Sequence, residues 1–307
     1  MLKSIVAVTL LVNQLSAVEG PYRDELGYRP VHRGVISSAQ SSLWAAPDLA
    51  GSSFVILQPA SGRPVYLRVI EDPAAAVPEA GTTHGWNAIE SVVQDPDALV
   101  RQFEDSAFRV VGPPKDLWKA PDAPRAMQAI GPARELLYFT RVIPSGMSIP
   151  VSAAQVPVDR VFIVVVGGPS MKVLQDFYGR KLGLAVGDAS NWQITVLSRA
   201  LGLPPETTYP LAVAALPREF LVELDEYPNQ AIPRNVRGGS LPAGPAMVTF
   251  AVPELDDFRL TWRSPPARIA EFPYSGQEAA VTVGPAGEWI ELVEIAGLPD
   301  AAGPGRN

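Results

Sequence analysis

The sequence contains, near its C-terminus, the stretch Gly284-Pro-Ala-Gly-Glu-Trp-Ile-Glu-Leu-Val-Glu294, in which a turn leads into a short apolar run. Alternation along a strand places Trp289 and Glu291 on one face and Ile290 and Leu292 on the other. A carboxylate on the inner face of a sheet costs free energy unless it is paired or has a function. Glu291 is therefore the first candidate for a functional residue.

The same pattern occurs three more times along the chain. The further copies are Gly62-Arg-Pro-Val-Tyr-Leu-Arg-Val69, Gly131-Pro-Ala-Arg-Glu-Leu-Leu-Tyr-Phe139 and Arg218-Glu-Phe-Leu-Val-Glu-Leu-Asp225. Aligned by register, the position of Glu291 holds Tyr66, Tyr138 and Glu223 in these copies. A recurring pattern indicates structural units that bury a face against their neighbours. The sequence therefore predicts four such units.

Each unit reads as a strand, a helix and then three strands. In the third unit we predict a strand over 160–166 and a helix over 170–182, with Ser170 as N-cap and Gly183 after its last turn. Further strands are predicted over 192–197, 211–215 and 219–225. In the fourth unit a helix is predicted from residue 255 to about residue 263, after a strand over 246–252. The repeating element is thus βαβββ.

Length and composition favour two domains of ordinary size. The chain has 307 residues, of which 47% are apolar and 19% charged, as in globular proteins. Its 32 prolines and 25 glycines fall mostly between apolar runs, which favours many short strands. The stretch 149–157, which carries two prolines, is predicted to link two halves, 1–150 and 151–307. Each half is expected to hold two units as a paired-module domain with a curved mixed or antiparallel sheet, so the predicted class is α+β.

Charge and cysteine content exclude several function classes. The net charge is −7, with no basic tract, so nucleic acid is not expected as a partner. The absence of cysteine excludes disulfides, a thiolate nucleophile and cysteine-ligated metals. Beyond the N-terminus no stretch approaches the ~18 apolar residues that span a bilayer, so no membrane partner is expected either.

The first twenty residues allow two interpretations. A lysine followed by the apolar run 5–12 is typical of a signal peptide, and it is equally typical of a buried first strand. The repeat favours the strand, because every other unit begins with one. We therefore expect a cytoplasmic protein that retains this strand, and N-terminal sequencing that began after Ala17 would contradict this.

The four tandem units resemble the vicinal oxygen chelate superfamily, which comprises glyoxalases, bleomycin-resistance proteins, epimerases and extradiol dioxygenases. The resemblance is clearest in the helix Leu174-Gln-Asp-Phe-Tyr-Gly-Arg-Lys-Leu-Gly-Leu184 and in the final run ending at Val293. It implies that units pair to form a cleft, in which residues of the first and last strands hold a divalent metal. Carried over by register, the last-strand positions are Glu291 and Glu223.

The positions implied for first-strand ligands depart from the metal-dependent members, which usually have histidine there. They fall near Arg160 in the third unit, Met247 in the fourth, and Ala7 and Ala88 in the N-terminal half. The chain contains only two histidines, His32 and His84, and both are read as loop or structural residues. An extradiol dioxygenase site is therefore disfavoured, and the tyrosines of the N-terminal copies suggest that its cleft has degenerated.

The expected site lies in the C-terminal half, where Glu223 and Glu291 would face one cleft with Arg160 nearby. Two facing carboxylates either bind a divalent metal or shift each other's pKa values so that one acts as base and the other as acid. Arg160 would fix a substrate anion. This combination indicates a lyase or isomerase acting on a small oxygenated, including aromatic, metabolite.

Three alternatives remain open from the sequence. In the first, Glu223 and Arg160 form a structural ion pair and Glu291 lies at a solvated cleft mouth. In the second, the chain binds a small molecule without converting it, as resistance-type proteins do. The third is a divergent metal-dependent dioxygenase. The expected partner is a small molecule in every case, and a homodimer is left open.

Overall fold

Four units, each beginning with a long strand and ending with a strand parallel to it, recur along the chain in the computed structural model, which describes residues 1–147 and 149–295. The strands are Ser4–Val12 (β1), Arg29–Val35 (β2), Ser53–Gln58 (β3), Tyr66–Glu71 (β4), Gly85–Val93 (β5), Arg109–Asp116 (β6), Arg125–Ile130 (β7), Leu136–Arg141 (β8), Val158–Gly168 (β9), Ala185–Val186 (β10), Ser190–Gln193 (β11), Thr208–Ala215 (β12), Leu221–Glu226 (β13), Gly244–Val252 (β14), Ala267–Arg268 (β15), Glu278–Val283 (β16) and Trp289–Glu294 (β17). The α-helices are Ser16–Asp24 (α1), Ser38–Leu43 (α2), Pro96–Gln102 (α3), Met171–Asp176 (α4) and Thr195–Ala200 (α5).

These elements form two mixed sheets, which confirms the predicted α+β class. The eight-stranded sheet has the order β15-β16-β17-β14-β1-β4-β3-β2. The nine-stranded sheet has the order β10-β12-β13-β9-β5-β8-β7-β6, and its ninth strand, β11, pairs with β12. Within each unit the first and last strands are parallel neighbours. Two units meet in each sheet through antiparallel first strands, β1 with β14 and β5 with β9.

The pairing of the units corrects the expectation that the halves 1–150 and 151–307 each form their own paired-module domain. The first unit shares its sheet with the fourth, and the second shares its sheet with the third. The reason is physical: the first strands β5, β9 and β14 are buried along their whole length and β1 along nearly all of it. Such strands read as apolar runs that do not specify a partner.

The N-terminal run is a central strand, as predicted. β1 pairs with β14 on one side and with β4 on the other. Its apolar residues pack on both faces of the eight-stranded sheet. None of the described helices is long and apolar enough to cross a membrane.

The Gly-Pro-Ala turn in the quoted stretch has a packing reason. The side chain of Glu288 folds back over the turn and accepts a hydrogen bond from the backbone N–H of Ala286 at 2.8 Å. A Cβ atom at Gly284 would collide with that carboxyl group, so the position needs glycine. Gly131 and Glu135 repeat this arrangement in the second unit. The turn motif thus serves to place one buried carboxyl group in each of these units.

Each of these carboxyl groups bonds a tyrosine from the preceding unit, and so joins the two sheets. Tyr22, on α1, donates to Glu135 at 2.5 Å, and Tyr178 donates to Glu288 at 3.2 Å. Burial raises the pKa of each glutamate to about 7. The folded protein is therefore most stable when both carboxyl groups are protonated.

These buried acids predict that stability falls as pH rises. A carboxyl group whose folded pKa lies above its unfolded value stabilises the fold at low pH, and this contribution is lost as pH rises through the folded value. For Glu135 and Glu288 the window runs from about pH 4.5 to above pH 7. We expect the melting temperature to fall by roughly 10 °C between pH 6 and pH 9, measured by calorimetry.

The variants Glu135→Gln and Glu288→Gln provide the control for this prediction, because glutamine accepts the tyrosine hydrogen bond without titrating. Each variant should reduce the fall in melting temperature between pH 6 and pH 9 without abolishing it, because the other buried carboxyl groups still titrate. Below about pH 4 the opposite sign applies, because Glu19 and Asp97 have pKa values lowered by hydrogen bonds from Arg33 and Arg125. A wild-type melting temperature that is constant from pH 6 to pH 9 would rule out buried, proton-binding glutamates.

Two predicted local elements are wrong. The stretch 192–197 is a strand only as far as Gln193 and then becomes α5, whose end is marked by Gly202 at φ 66°. The predicted helix over 255–263 is only a 3₁₀ turn, Leu255–Asp257. Its remainder runs beside β16, where the backbone N–H of Arg263 bonds the carbonyl of Val281 at 2.8 Å. Short segments follow such tertiary contacts rather than their own helix or strand pattern.

Candidate functional site

The carboxylate of Glu291 is sealed inside the eight-stranded sheet. It accepts hydrogen bonds from the Trp44 indole at 2.7 Å, the Tyr274 hydroxyl at 2.8 Å and the Thr249 hydroxyl at 2.6 Å. It also forms an ion pair with Arg68 at 3.1 Å. With an exposed fraction of 0% and four partners, this carboxylate is satisfied by the protein itself.

The surrounding groups leave no access from solvent. The guanidinium group of Arg68 stacks 4.7 Å from the ring centroid of Trp44 and 5.6 Å from that of Tyr274. Trp44 is supplied by the end of α2, a helix inserted into the first unit. Because Trp44, Arg68 and Tyr274 are all buried, the Glu291 carboxylate lies in a packed polar core on one face of this sheet.

This core occupies the position where the resemblance implies a divalent metal. β1 pairs Thr9 with Arg68 and β14 pairs Thr249 with Glu291, so these four residues are equivalent between the two units. The counterpart of Glu291 in the first unit is therefore Arg68, and the sequence alignment that assigned Tyr66 is wrong. The Arg68 guanidinium also donates to the Thr9 hydroxyl at 3.0 Å. A fixed cation among these residues opposes a metal ion, so they do not fit one.

Arg160 lies at the start of β9, apart from Glu291. Its guanidinium group is buried and pairs with Glu219, which also pairs with Arg63 of the first unit. Its other contacts are the carbonyl and hydroxyl oxygens of Ser152. Arg160 therefore forms a structural ion pair, as in the first alternative from the sequence. Its partner is Glu219 and not Glu223.

The three residues expected to form one site are thus separated. Glu291 lies on β17 of the eight-stranded sheet, whereas Glu223 lies on β13 of the nine-stranded sheet. The expectation of a shared C-terminal cleft failed because it assumed that the third and fourth units pair. Of the expected site residues, Glu223 lies near two other carboxyl groups, those of Asp225 and Glu90.

Glu223 belongs to a cluster of three carboxyl groups on the nine-stranded sheet, which we call the acid cluster. Its other members are Asp225, two residues further along β13 and so on the same face, and Glu90 on β5. Glu90 and Asp225 are buried, and Glu223 is half-buried. The Thr140 hydroxyl donates to Glu90 at 2.5 Å.

The acid cluster binds protons more strongly than ordinary carboxylates do. Burial raises the pKa of Asp225 to about 8, and it raises that of Glu90 to about 7 against the hydrogen bond from Thr140. The pKa of Glu223 is raised well above its usual range, by burial and then by the charges of Asp225 and Glu90. Asp225 and Glu90 therefore change between the protonated and the ionised form near neutral pH, so that they can act as acids or as bases there.

Beside the acid cluster lies a small inner cavity of about 10 Å³, enough for a single water molecule. Asp225, Tyr138 and Tyr227 contribute its polar lining, and α5 covers it with Val196 and Leu197. Asp225 has an exposed fraction of 2%, and within the described residues its Oδ1 atom has no hydrogen-bond partner. An unpartnered buried oxygen facing a cavity indicates a position for a ligand group.

An open cleft of about 140 Å³, which we call the outer cleft, lies next to the inner cavity. Ala80 and Val196 line both spaces. Together the two spaces suit a ligand of roughly benzene size. Of the two sheets, the nine-stranded one thus presents the accessible site.

Signals for the acid cluster were present in the sequence. Glu90 interrupts the apolar first strand of the second unit just as Glu291 interrupts the last strand of the fourth. Asp225 follows Glu223 at the strand period of two residues. What the sequence did not indicate is α5, which closes the cavity over them.

Metal ligation does not account for the acid cluster. Among the residues that the structure describes, no group of three or more histidine, cysteine, aspartate or glutamate side chains is arranged to hold a metal ion. The side chains of Glu223 and Glu291 lie on different sheets and share no ion. The divalent metal that the resemblance implies therefore has no fitting site in either sheet of the described chain.

No family model matches the sequence, and no curated protein matches it. The fold is nevertheless similar to solved structures over nearly the whole chain. Glyoxalase I from Zea mays is 11% identical, with coverage of 95% of this chain and 92% of that chain and a TM-score of 0.63. A putative dioxygenase from Bacillus subtilis is 12% identical, with coverage of 98% and 87% and a TM-score of 0.60. The chain therefore has the fold of the vicinal oxygen chelate superfamily.

Proposed function

We propose that the chain is a lyase or isomerase that acts on a small oxygenated metabolite by acid–base chemistry at the acid cluster. The observation that carries this proposal is the unpartnered Asp225 oxygen, facing a cavity beside two further carboxyl groups with raised pKa values. Groups that titrate near the working pH are suited to moving protons.

The residues support a simple division of roles. A protonated member of the cluster donates a hydrogen bond to a carbonyl or hydroxyl oxygen of the substrate. An ionised member removes a proton from the adjacent carbon, and the electron pair of the C–H bond moves into an enolate whose oxygen the donor stabilises. Returning the proton to another carbon gives isomerisation, and expelling a leaving group gives elimination. Asp225 and Glu223 are suited to exchange these roles, because ionisation of Asp225 raises the pKa of Glu223.

Ligand binding without conversion is the second candidate. The inner cavity has a largely apolar lining, formed by Ala88, Leu136, Val165 and Ile194 with the covering helix α5. Such a lining with a few polar groups is typical of binding pockets in general. A metal-dependent dioxygenase is not favoured, because the residues do not fit a metal. The cytoplasmic location and the homodimer remain predictions that fractionation and sedimentation would test.

Hydrogen exchange distinguishes conversion from binding. The protein is incubated in D₂O with small hydroxycarbonyl, dicarbonyl and aromatic compounds, and NMR follows loss of the C–H signal next to the carbonyl group. An enzyme of the proposed kind should exchange that proton even where no product accumulates, at a rate that increases from pH 6 to pH 8 as the base ionises. Binding without exchange for every compound that binds would favour the second candidate and overturn the first.

A further inference from the structure

The outer cleft carries a charge opposite to that of the acid cluster. Arg109 at the start of β6, Arg134 in the turn between β7 and β8, and Arg199 on α5 all line it. The acidic residue among the lining groups is Glu79, which is exposed. Three guanidinium groups thus surround the entrance in a protein whose net charge is −7.

These arginines are not neutralised by the protein. Within the described residues, none of Arg109, Arg134 and Arg199 forms an ion pair, whereas Arg125 on the neighbouring β7 pairs with both Asp97 and Asp116. Arg199 donates one hydrogen bond, at 2.9 Å to the carbonyl of Val111, which anchors its side chain at the cleft. Guanidinium groups that line one cleft and have no carboxylate partner favour an anion that fits between them.

The outer cleft and the inner cavity together indicate which end of a ligand would carry the charge. Ala80 and Val196 line both the outer cleft and the inner cavity, and the inner cavity is also lined by Asp225 with its unpartnered oxygen. We propose that the substrate is a small hydroxy or keto compound with an anionic end, a carboxylate or a phosphate, which the three arginines hold while its hydroxyl or keto oxygen is directed to the inner cavity beside Asp225. This inference rests on the proposed function for the site, and it adds the substrate class.

The same arrangement explains why the three arginines and the acid cluster do not form ion pairs with each other. If the arginines lay beside the carboxyl groups, ion pairs would lower the pKa values of the acids and remove their capacity to hold protons. Separation along the cleft leaves the acids protonated and the arginines available. An anionic substrate then binds by one end and presents its neutral oxygen to the acids.

The turn that carries Arg134 offers a variant with little risk to folding. Arg134 has φ 61°, and the equivalent residue of the fourth unit is Gly287 with φ 81°. Arg134→Gly therefore removes the charge and places the favoured residue in the turn. Arg218→Gly is a matched control, because Arg218 has φ 75° in the equivalent turn of the third unit and does not line the outer cleft.

The test compares binding of lactate, dihydroxyacetone phosphate and neutral dihydroxyacetone by NMR titration at low salt. We expect the anions to bind at least about 10-fold more tightly than the neutral compound, and this preference to weaken in salt. Arg134→Gly and Arg109→Gln should each weaken anion binding by about 10-fold and leave dihydroxyacetone binding unchanged. The relative affinity for lactate and the phosphate compound identifies which anion is preferred.

Three results would each overturn the inference: equal binding of neutral and anionic compounds, anion binding that is unchanged in Arg134→Gly, or anion binding that weakens equally in Arg134→Gly and Arg218→Gly. The outcome is separable from that of the proposed function. Arginine-dependent binding without hydrogen exchange would refute catalysis and retain the anion site. Exchange that is independent of the arginines would refute the anion site and retain catalysis.

Discussion

Asp225→Asn is expected to lower the rate of hydrogen exchange or turnover by about two to four orders of magnitude. Asparagine keeps the shape and hydrogen-bonding groups of the protonated acid but cannot release or take up a proton. The same substitution should raise the melting temperature at pH 8, because the buried carboxyl group of Asp225 has a pKa of about 8 and its ionisation destabilises the fold. Exchange kinetics and calorimetry on the same preparation measure both effects.

The combination of lower activity and higher stability separates a catalytic acid from a structural one. In Asp225→Asn the residual activity should reach its half-maximum at lower pH, because the charge that raises the pKa of Glu223 is gone. Asp188→Asn provides the matched control, since Asp188 is an exposed acid of the same unit. Asp225→Asn with wild-type exchange and an unshifted pH profile would remove Asp225 from the mechanism.

Much of the fold could be predicted from local pattern. The four copies of the terminal strand and the first strands follow from strand alternation, and the structure contains them. The alternation around Glu291 also holds, because Trp289 and Ile290 belong to different core clusters. These features depend on residues that are near each other in the sequence.

The partners of Glu291 could not be predicted in this way. Trp44 is separated from it by 247 residues and Arg68 by 223 residues. Whether the Glu291 carboxylate is buried or accessible depends on which units pair and on the inserted helix α2. Neither feature can be recognised from the sequence around Glu291. The same reason explains why the acid cluster was not recognised, since Glu90 and Glu223 come together only through the pairing of β5 with β9.

Glu291→Ala is expected to destabilise the fold by about 3–5 kcal/mol, the usual consequence of removing one partner from a buried ion pair. Arg68, with an exposed fraction of 1%, would keep its charge in a core without a counter-charge. Trp44 and Tyr274 would lose the oxygen to which they donate. Denaturation by urea, with calorimetry as a second measurement, would give the change in the free energy of unfolding.

A functional role for Glu291 and a structural one predict different results for a second variant. Replacing the pair together, as Arg68→Met with Glu291→Leu, should recover part of the lost stability, because two apolar side chains leave no buried charge. Hydrogen exchange at the acid cluster should remain close to wild type in both variants, since the ion pair lies in the other sheet. If instead Glu291→Ala abolished exchange while its stability matched wild type, the working site would have to lie in the eight-stranded sheet, and its sealed core would have to open to admit the substrate.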